Sequence, residues 1–236
     1  MKKYLLILSL TFGFTQSLDM TFRYIERPVD DFIRVFVPGE MNNWGPNSSG
    51  VISPTAASQM ILNEATDSYD KSYSLTVGST YLYKIHFHHN SFGTDYSWIS
   101  DPLNPLTTDD EWDNSILDVT DPLFFQPARH LNEEGLVDGL SVGIFTTGNV
   151  DSVRYAVGGD TVSATEFYHD NGVFYVALNP PKTLFESYWI QASIDGELHT
   201  VYDQPEIEIV EASLPVDVEM GPNWLNVNMI LAVLPF

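Results

Sequence analysis

The segment Tyr188-Trp-Ile-Gln-Ala-Ser-Ile194 carries an apolar residue at every second position. Because successive side chains of a β-strand point to opposite faces, this alternation predicts a strand with one buried face. Similar segments recur along the chain and are separated by turn residues, while the periodicity of amphipathic helices is nearly absent. The pattern therefore predicts an all-β protein.

The candidate strands fall into two blocks. Those of the first block are Phe32–Val37, Tyr73–Val77, Tyr81–His88 and Ser115–Val119, with Gly78-Ser79 predicted as a hairpin turn between the second and third. Those of the second block are Leu140–Thr146, Ser152–Val157, Val173–Leu178, Tyr188–Ile194 and Glu206–Val210.

The two blocks predict two consecutive immunoglobulin-like β-sandwiches, the first over residues 20–122 and the second over residues 140–212. Residues 123–139 are predicted to be a linker between them. Residues 213–236 are predicted to be a second linker followed by an apolar stub. The stub is either a strand that docks on the second sandwich or the front of a further domain, and we favour the further domain.

The first residues have the pattern of a secretory signal peptide. Lys2 and Lys3 precede an apolar run over Tyr4–Phe14, and Thr15-Gln16-Ser17 follows with small residues. The run is too short to span a bilayer. We therefore predict a bacterial signal peptide over residues 1–17, cleaved near Ser17, and a secreted, periplasmic or cell-surface protein without membrane insertion after cleavage. The alternative is a buried N-terminal strand.

Charge and composition limit the possible partners. The chain has 10 Lys and Arg residues against 32 Asp and Glu residues, which gives a net charge of −22. Such a surface repels nucleic-acid phosphates and anionic lipid, so we predict no nucleic-acid partner. With no Cys, the chain has no disulfides or thiolate ligands, and no cofactor is expected. A neutral ligand or a cation fits this charge better.

The most informative motifs lie in residues 32–119. In chain order they are Phe36-Val-Pro-Gly-Glu-Met-Asn-Asn-Trp-Gly45, Tyr81-Leu-Tyr-Lys-Ile85, Trp98 shortly before Asp101-Pro102, and Asp113-Asn-Ser-Ile116. This order resembles the family 48 carbohydrate-binding module, which occurs at the N-terminus of isoamylases, branching enzymes and some α-amylases and in the glycogen-binding domain of the AMP-activated kinase β subunit. The sequence departs from the family pattern at Met41, Ile85 and Ser115.

The resemblance implies a site for an α-1,4-glucan made by Trp44, Lys84, Trp98 and Asn114. Physical chemistry agrees with these residue types, since aromatic rings stack on the C–H faces of sugars while amide and ammonium groups hydrogen-bond to hydroxyl groups. Each residue also has a simpler interpretation: core packing for the two Trp residues, a solvated strand position for Lys84, and a turn for Asn114.

Two further clusters of polar residues are candidates for metal sites. His86 and His88 alternate with Lys84, so we expect these three side chains to share one exposed strand face beside the sugar site. A zinc site would need a third ligand, and the sequence identifies none. Residues 109–111 with Asp113 are acidic but lack the spacing of a calcium loop, so we predict a solvated loop. No metal site is predicted.

Two functions are compatible with these features. The favoured one is non-catalytic binding of an α-glucan of the starch or glycogen type, in the N-terminal region of a secreted α-amylase-like hydrolase. Family 13 hydrolases carry Asn-His-Asp and Gly-x-Arg-x-Asp segments, and neither occurs here. We therefore predict that this chain alone is not an enzyme and that its partners are the glucan and a separate catalytic domain. The alternative is an exported β-sandwich interaction or adhesion protein with a decayed sugar site.

Overall fold

The computed structural model of the protein describes residues 15–26, 30–45, 47–158, 160–162, 168–183, 186–203, 208–210 and 231–233. In these ranges the chain forms β-strands and turns with a single short 3-10 helix, Glu40–Asn42, which confirms the predicted all-β class. None of the described segments forms a helix with the length and apolar character needed to cross a bilayer. Residues 1–14 of the predicted signal peptide lie outside the described residues.

The chain divides into two compact units, Met1–Leu123 with Phe145–Thr147, and Phe124–Ile144 with Gly148–Phe236. The strands of the first unit are β1 (Ser17–Tyr24), β2 (Arg34–Phe36), β3 (Asn47–Ser48), β4 (Val51–Ile52), β5 (Ile61–Asn63), β6 (Ser68–Thr76), β7 (Thr80–Tyr83), β8 (Ile85–His88), β9 (Tyr96–Ile99) and β10 (Ser115–Asp118). They form antiparallel sheets in the orders β1-β6-β5 and β2-β8-β9, and the pairs β7-β10 and β3-β4.

The core of the first unit lies between strand β1 and strands β7 and β8. Phe22 of β1 meets Tyr83 edge-to-face at 5.0 Å between ring centroids, and Tyr24 meets Phe87 at 5.2 Å. All four side chains are buried. Strand β1 was not predicted, although its apolar residues alternate, and it begins three residues before residue 20, the predicted start of the first domain. The adjoining apolar run of the predicted signal peptide conceals this alternation in the sequence.

The predicted hairpin around Gly78 is wrong. Strand β6 pairs with β1 and β5, whereas β7 pairs with β10. The turn at Gly78-Ser79 is held instead by Val119, because the Gly78 amide donates to the Val119 carbonyl at 2.8 Å and the Val119 amide donates to the Ser79 carbonyl at 2.9 Å. The turn therefore connects two different sheets, which the spacing of two strands cannot reveal.

The second unit is a two-sheet sandwich. Its strands are β11 (Leu123–Leu131), β12 (Val137–Phe145), β13 (Val150–Val157), β14 (Asp160–Val162), β15 (Tyr168–Asp170), β16 (Val173–Lys182), β17 (Tyr188–Ile194) and β18 (Glu197–Asp203). The sheet orders are β11-β12-β16-β15 and β14-β13-β17-β18. With the strands lettered in chain order, these are the A-B-E-D and C′-C-F-G sheets of an immunoglobulin-like domain. Alternate residues of both sheets form one core, including Val142, Val176, Tyr155 and Ile190.

Residues 123–139 are not a linker. They form β11 and the start of β12, joined by a turn in which the Gly135 amide donates to the Asn132 carbonyl at 3.0 Å. The second sandwich therefore includes chain that precedes residue 140. Pro127 lies in β11, at the end of the sheet order, where a residue without an amide hydrogen is tolerated. A proline and an acidic turn have the composition of a linker, but they also suit an outer strand and a hairpin.

The last described residues form a small antiparallel pair of strands, β19 (Glu208–Val210) and β20 (Leu231–Val233). The pair includes part of the predicted strand over Glu206–Val210. The remainder of the predicted linker and stub over residues 213–236 lies outside the described residues.

Candidate functional site

One cleft in the first unit is lined by all four residues of the predicted sugar site. Its volume is about 570 Å³. The lining side chains and backbone come from Trp44, Asn47, Gly50, Lys84, Tyr96, Trp98, Trp112 and Asn114. The fold thus gathers into one concave surface residues that are widely separated in the sequence.

Trp44 lies on a tight turn organised by Asn42. The Asn42 Oδ1 atom accepts hydrogen bonds from the amides of Gly39 at 3.0 Å and Gly45 at 2.9 Å. The Trp44 amide donates to the Gly39 carbonyl at 2.8 Å, and Trp44 itself has φ 58°. An L-residue in this left-handed conformation is uncommon outside turns. The turn therefore holds the backbone of Trp44 at the wall of the cleft, with its ring half-buried.

Gly45 is required by the close packing behind this turn. Its φ is +112°, and a Cβ atom there would lie 2.9 Å from Cδ1 of Ile52. The Gly45 carbonyl also accepts a hydrogen bond from the buried Ser58 hydroxyl at 2.9 Å. A side chain at this position would therefore be strained and would force the Ile52 side chain to move away from the turn that presents Trp44.

Trp98 lies on β9 and is tied to the turn between β3 and β4. Its indole Nε1 donates to the Gly50 carbonyl at 3.0 Å. The Gly50 amide donates to Asn47 Oδ1 at 3.2 Å, and Asn47 Nδ2 donates to the Trp44 carbonyl at 3.0 Å. One continuous set of hydrogen bonds therefore links the segments that carry the two predicted rings.

His86 and His88 are buried beneath the cleft. The prediction that they share an exposed strand face with Lys84 is therefore wrong. His86 is opposite Trp98 in the β8–β9 register, with ring centroids 4.4 Å apart. Lys84 lies between β7 and β8, so it does not extend the alternation of β8. The histidines are buried because β8 is the central strand of its sheet and is covered on both faces.

Burial changes the protonation of both histidines. Among the residues that the structure describes, neither ring nitrogen of His86 finds a hydrogen-bond partner. Burial, aided by repulsion from His88 and His89, lowers the pKa of His86 to about 3. Burial also lowers the pKa of His88, with a further contribution from the charge of Arg34. His86 is therefore neutral near pH 7 and forms part of an aromatic layer under Trp98.

Lys84 is the cationic residue of the cleft lining. Its amide donates to the Pro38 carbonyl at 2.9 Å. Hydrogen bonds from Thr107 and Ser100 lower the pKa of Asp113, and the charge of Lys84 lowers it further. The Lys84 and Asp113 charges therefore attract each other, which partly offsets the positive charge in the cleft.

Asn114 and Trp112 belong to the acidic loop before β10. The Asn114 amide donates to Thr108 Oγ1 at 2.9 Å, and the Thr108 amide donates to the Asn114 carbonyl at 2.8 Å. Asp110 Oδ1 accepts from Thr108 Oγ1 at 2.8 Å and from the amides of Trp112 and Asp113 at 3.0 and 3.1 Å. These bonds, chiefly the one from Thr108, lower the pKa of Asp110. Its carboxylate therefore organises the loop, a role the prediction of a solvated loop did not include.

Within the described residues, no three His, Cys, Asp or Glu side chains are arranged to hold a metal ion. The Asp110 carboxylate instead accepts hydrogen bonds from its own loop, and the Asp113 carboxylate accepts one from Ser100, which follows β9.

A buried polar network supports the base of the loop. The Tyr83 hydroxyl donates to Asp101 Oδ2 at 2.8 Å and accepts from Asn104 Nδ2 at 3.0 Å. The Asp101 amide donates to the Ser115 hydroxyl at 2.7 Å. Ser115, a departure from the family pattern, is thus a fully buried partner of the loop.

Four lining residues were not predicted from the sequence. Asn47 and Gly50 form the turn after Trp44, and Tyr96 precedes Trp98 by two positions, which places both rings on one face of β9. Trp112 lies in an acidic turn two residues before Asn114. A signal for Tyr96 and Trp112 was present, since each is an aromatic residue close to a predicted site residue.

Comparisons with known proteins do not establish a family for the chain. No family model and no curated protein sequence matches it. Among solved structures, the chain is similar to the crystal structure of maltogenic amylase from S. marinus, with a TM-score of 0.27 and 10% sequence identity. The match covers 76% of this chain and 25% of that chain, so the chain spans about a quarter of the amylase's length. The resemblance to family 48 modules stays a prediction.

Proposed function

We propose that the first unit binds a neutral α-glucan of the starch or glycogen type in the cleft. The observation that supports this most directly is that Trp44, Lys84, Trp98 and Asn114 line one cleft. These positions were implied by the resemblance to the family 48 module, and core packing, the simplest alternative for the two rings, would not place them in a shared opening.

The chemistry of the lining suits a sugar chain. The cleft combines three Trp rings and Tyr96 with a small number of polar groups, the usual composition of a site that orients a ligand through a few hydrogen bonds. The rings of Trp44 and Trp98 offer flat surfaces to the C–H faces of glucose units, while Lys84 and Asn114 offer donors to the hydroxyl groups. A neutral polymer also avoids repulsion by the chain's net charge of −22.

The role we propose is non-catalytic. A glycosidase needs a pair of carboxyl groups on either side of the scissile bond. Near this cleft, the Asp110 carboxylate accepts hydrogen bonds from its own loop and the Asp113 carboxylate accepts one from Ser100. The chain would hold the polymer close to an α-amylase-like catalytic domain and raise the local substrate concentration. We also propose that the protein is exported through a signal peptide over residues 1–17. This part of the proposal rests on the two lysines and the apolar run at the start of the sequence.

The test is native gel electrophoresis of the purified chain with and without amylopectin. We expect the glucan to retard the wild type, and Trp44→Ala and Trp98→Ala to migrate as they do in its absence. Phe92→Ala is the matched control, because Phe92 is 79% exposed but does not line the cleft. Near-ultraviolet circular dichroism checks that each variant folds.

The outcomes separate the two candidate functions. Failure of amylopectin to retard the folded wild type would overturn glucan binding and favour the interaction or adhesion protein. Release of reducing ends from starch by the purified chain would overturn the non-catalytic role while leaving binding intact.

A further inference from the structure

Trp112 is unusually exposed for a residue of its size. Its side chain is 64% exposed, whereas Trp44 and Trp98 are half-buried. A large ring left in water adds nothing to the core and favours association with an apolar surface. Phe92 is also exposed, but only Trp112 of these two lines the cleft.

The turn beneath Trp112 is well ordered. Asp110 Oδ1 accepts the amide hydrogens of Trp112 and Asp113 and the hydroxyl of Thr108, at distances of 2.8 to 3.1 Å. Asp113 adopts φ 48° and accepts a hydrogen bond from Ser100 at 2.8 Å. The backbone that carries the ring is therefore arranged before any ligand arrives, which lowers the entropy cost of binding.

The same turn carries a residue of the predicted site. Thr108 exchanges two hydrogen bonds with the backbone of Asn114 and donates a third to Asp110. Trp112 and Asn114 are thus held by one set of contacts on one side of the cleft. A ligand in the cleft that reaches the side-chain amide of Asn114 therefore also comes close to Trp112, which lines the same cleft.

We propose that Trp112 is a third ligand-contacting ring of the cleft, in addition to Trp44 and Trp98. This inference rests on the proposed function. Trp112 is not one of the motif residues from which the site was predicted. The loop therefore adds an aromatic surface to the cleft beyond those residues. Contact with a third ring extends the bound length of the glucan, and its contribution grows with the number of glucose units that the ligand presents.

Asp110 is a positioning residue in this arrangement. Replacement of its carboxylate by Ala removes the acceptor of three hydrogen bonds in the turn, whereas Asn retains an acceptor oxygen. Asp110→Ala should therefore weaken glucan binding through Trp112, and Asp110→Asn should restore most of it. In a Trp112→Ala background, Asp110→Ala should have no further effect, because the ring that it positions is absent.

The test is titration calorimetry of linear malto-oligosaccharides of increasing length. We expect Trp112→Ala to bind the longer chains about tenfold more weakly than the wild type, a loss in the range of a moderate interface residue. Its affinity for the shortest bound chain should change much less. Trp112→Phe should recover part of the loss, and Phe92→Ala should bind every chain as the wild type does.

A second measurement reports the contact directly. N-bromosuccinimide oxidises accessible indole rings, and mass spectrometry locates the modified residues. We expect Trp112 to be oxidised rapidly in the free protein and to be protected when a long malto-oligosaccharide is bound.

The outcomes distinguish the two proposals. The role of Trp112 is overturned, while glucan binding stands, if Trp112→Ala binds every chain as tightly as the wild type does. The same conclusion follows if bound glucan leaves the oxidation of Trp112 unchanged. If the folded wild type binds none of the chains, both proposals are overturned.

Discussion

The indole nitrogen of Trp98 donates a 3.0 Å hydrogen bond to the backbone carbonyl of Gly50. This bond connects a ring of the cleft with the turn that follows Trp44, and Asn47 in that turn donates to the Trp44 carbonyl. Trp98 therefore has two roles, as a surface of the cleft and as a tether for the opposite turn. Substitutions that separate the ring from its N–H group distinguish these roles.

Trp98→Phe should keep an aromatic surface but lose the tether. We expect a decrease of about 1 kcal/mol in the free energy of unfolding, the usual net value of one hydrogen bond, with weakened but measurable glucan binding. Urea denaturation measures the first quantity. Trp112→Phe is the matched control and should change stability by less than about 0.5 kcal/mol, since its ring is exposed. Equal stability changes in the two variants would contradict the tether.

Gly45→Ala should destabilise the protein more than Gly78→Ala. Both glycines have positive φ, +112° and +83°, so both substitutions introduce backbone strain of about 1 kcal/mol or more. A Cβ atom at Gly45 would also lie 2.9 Å from Ile52, whereas one at Gly78 meets nothing within 4 Å. The difference between the two thermal midpoints reports the additional cost at Gly45, where the Ile52 side chain must move. Equal midpoints would show that Ile52 moves without cost.

Stability should fall on acidification because of His86. Its pKa is lowered to about 3 in the folded protein, against an ordinary value of 6.5. Between these values the unfolded chain binds a proton that the folded protein does not, so the free energy of unfolding decreases as the pH falls. The contribution of this residue has a slope of up to about 1.4 kcal/mol per pH unit. The lowered pKa of His88 acts in the same direction.

Urea denaturation between pH 7 and pH 4 measures this slope. His86→Phe keeps an aromatic ring under Trp98 and removes the titrating group, so its stability should depend less steeply on pH. His199→Phe, in the second unit, controls for loss of a histidine outside this layer. An unchanged slope in His86→Phe would contradict the assignment.

Tyr83→Phe should loosen the loop that carries Trp112 and Asn114. The substitution removes a donor to the buried Asp101 carboxylate and an acceptor for Asn104, with an expected cost of about 1–3 kcal/mol. Tyr81→Phe is the control, because that hydroxyl is only partly buried and accepts one backbone hydrogen bond, from Thr76. Hydrogen exchange of the loop amides should quicken in Tyr83→Phe alone. Unchanged exchange would show that the network does not restrain the loop.

Much of the fold follows from local patterns. The alternation over Tyr188–Ile194 predicts strand β17, since one of its faces is buried and the other is not. The same reasoning fails for His86 and His88, because β8 is covered on both faces and alternation no longer separates exposed from buried residues. It also fails for residues 123–139, where a proline and an acidic turn have the composition of a linker but form an outer strand and a hairpin.

By itself the sequence determined the all-β class and two sandwich domains, because backbone alternation is a property of neighbouring residues. The resemblance of its motifs to a family pattern pointed to four of the eight residues that line the cleft. Tertiary structure decided which strands pair across Gly78, how deeply His86 lies beneath Trp98, and that Trp112 joins the cleft. Those outcomes depend on contacts between segments far apart in the chain. Which segments meet is set by the packing of whole sheets, and no local pattern of residues contains that information.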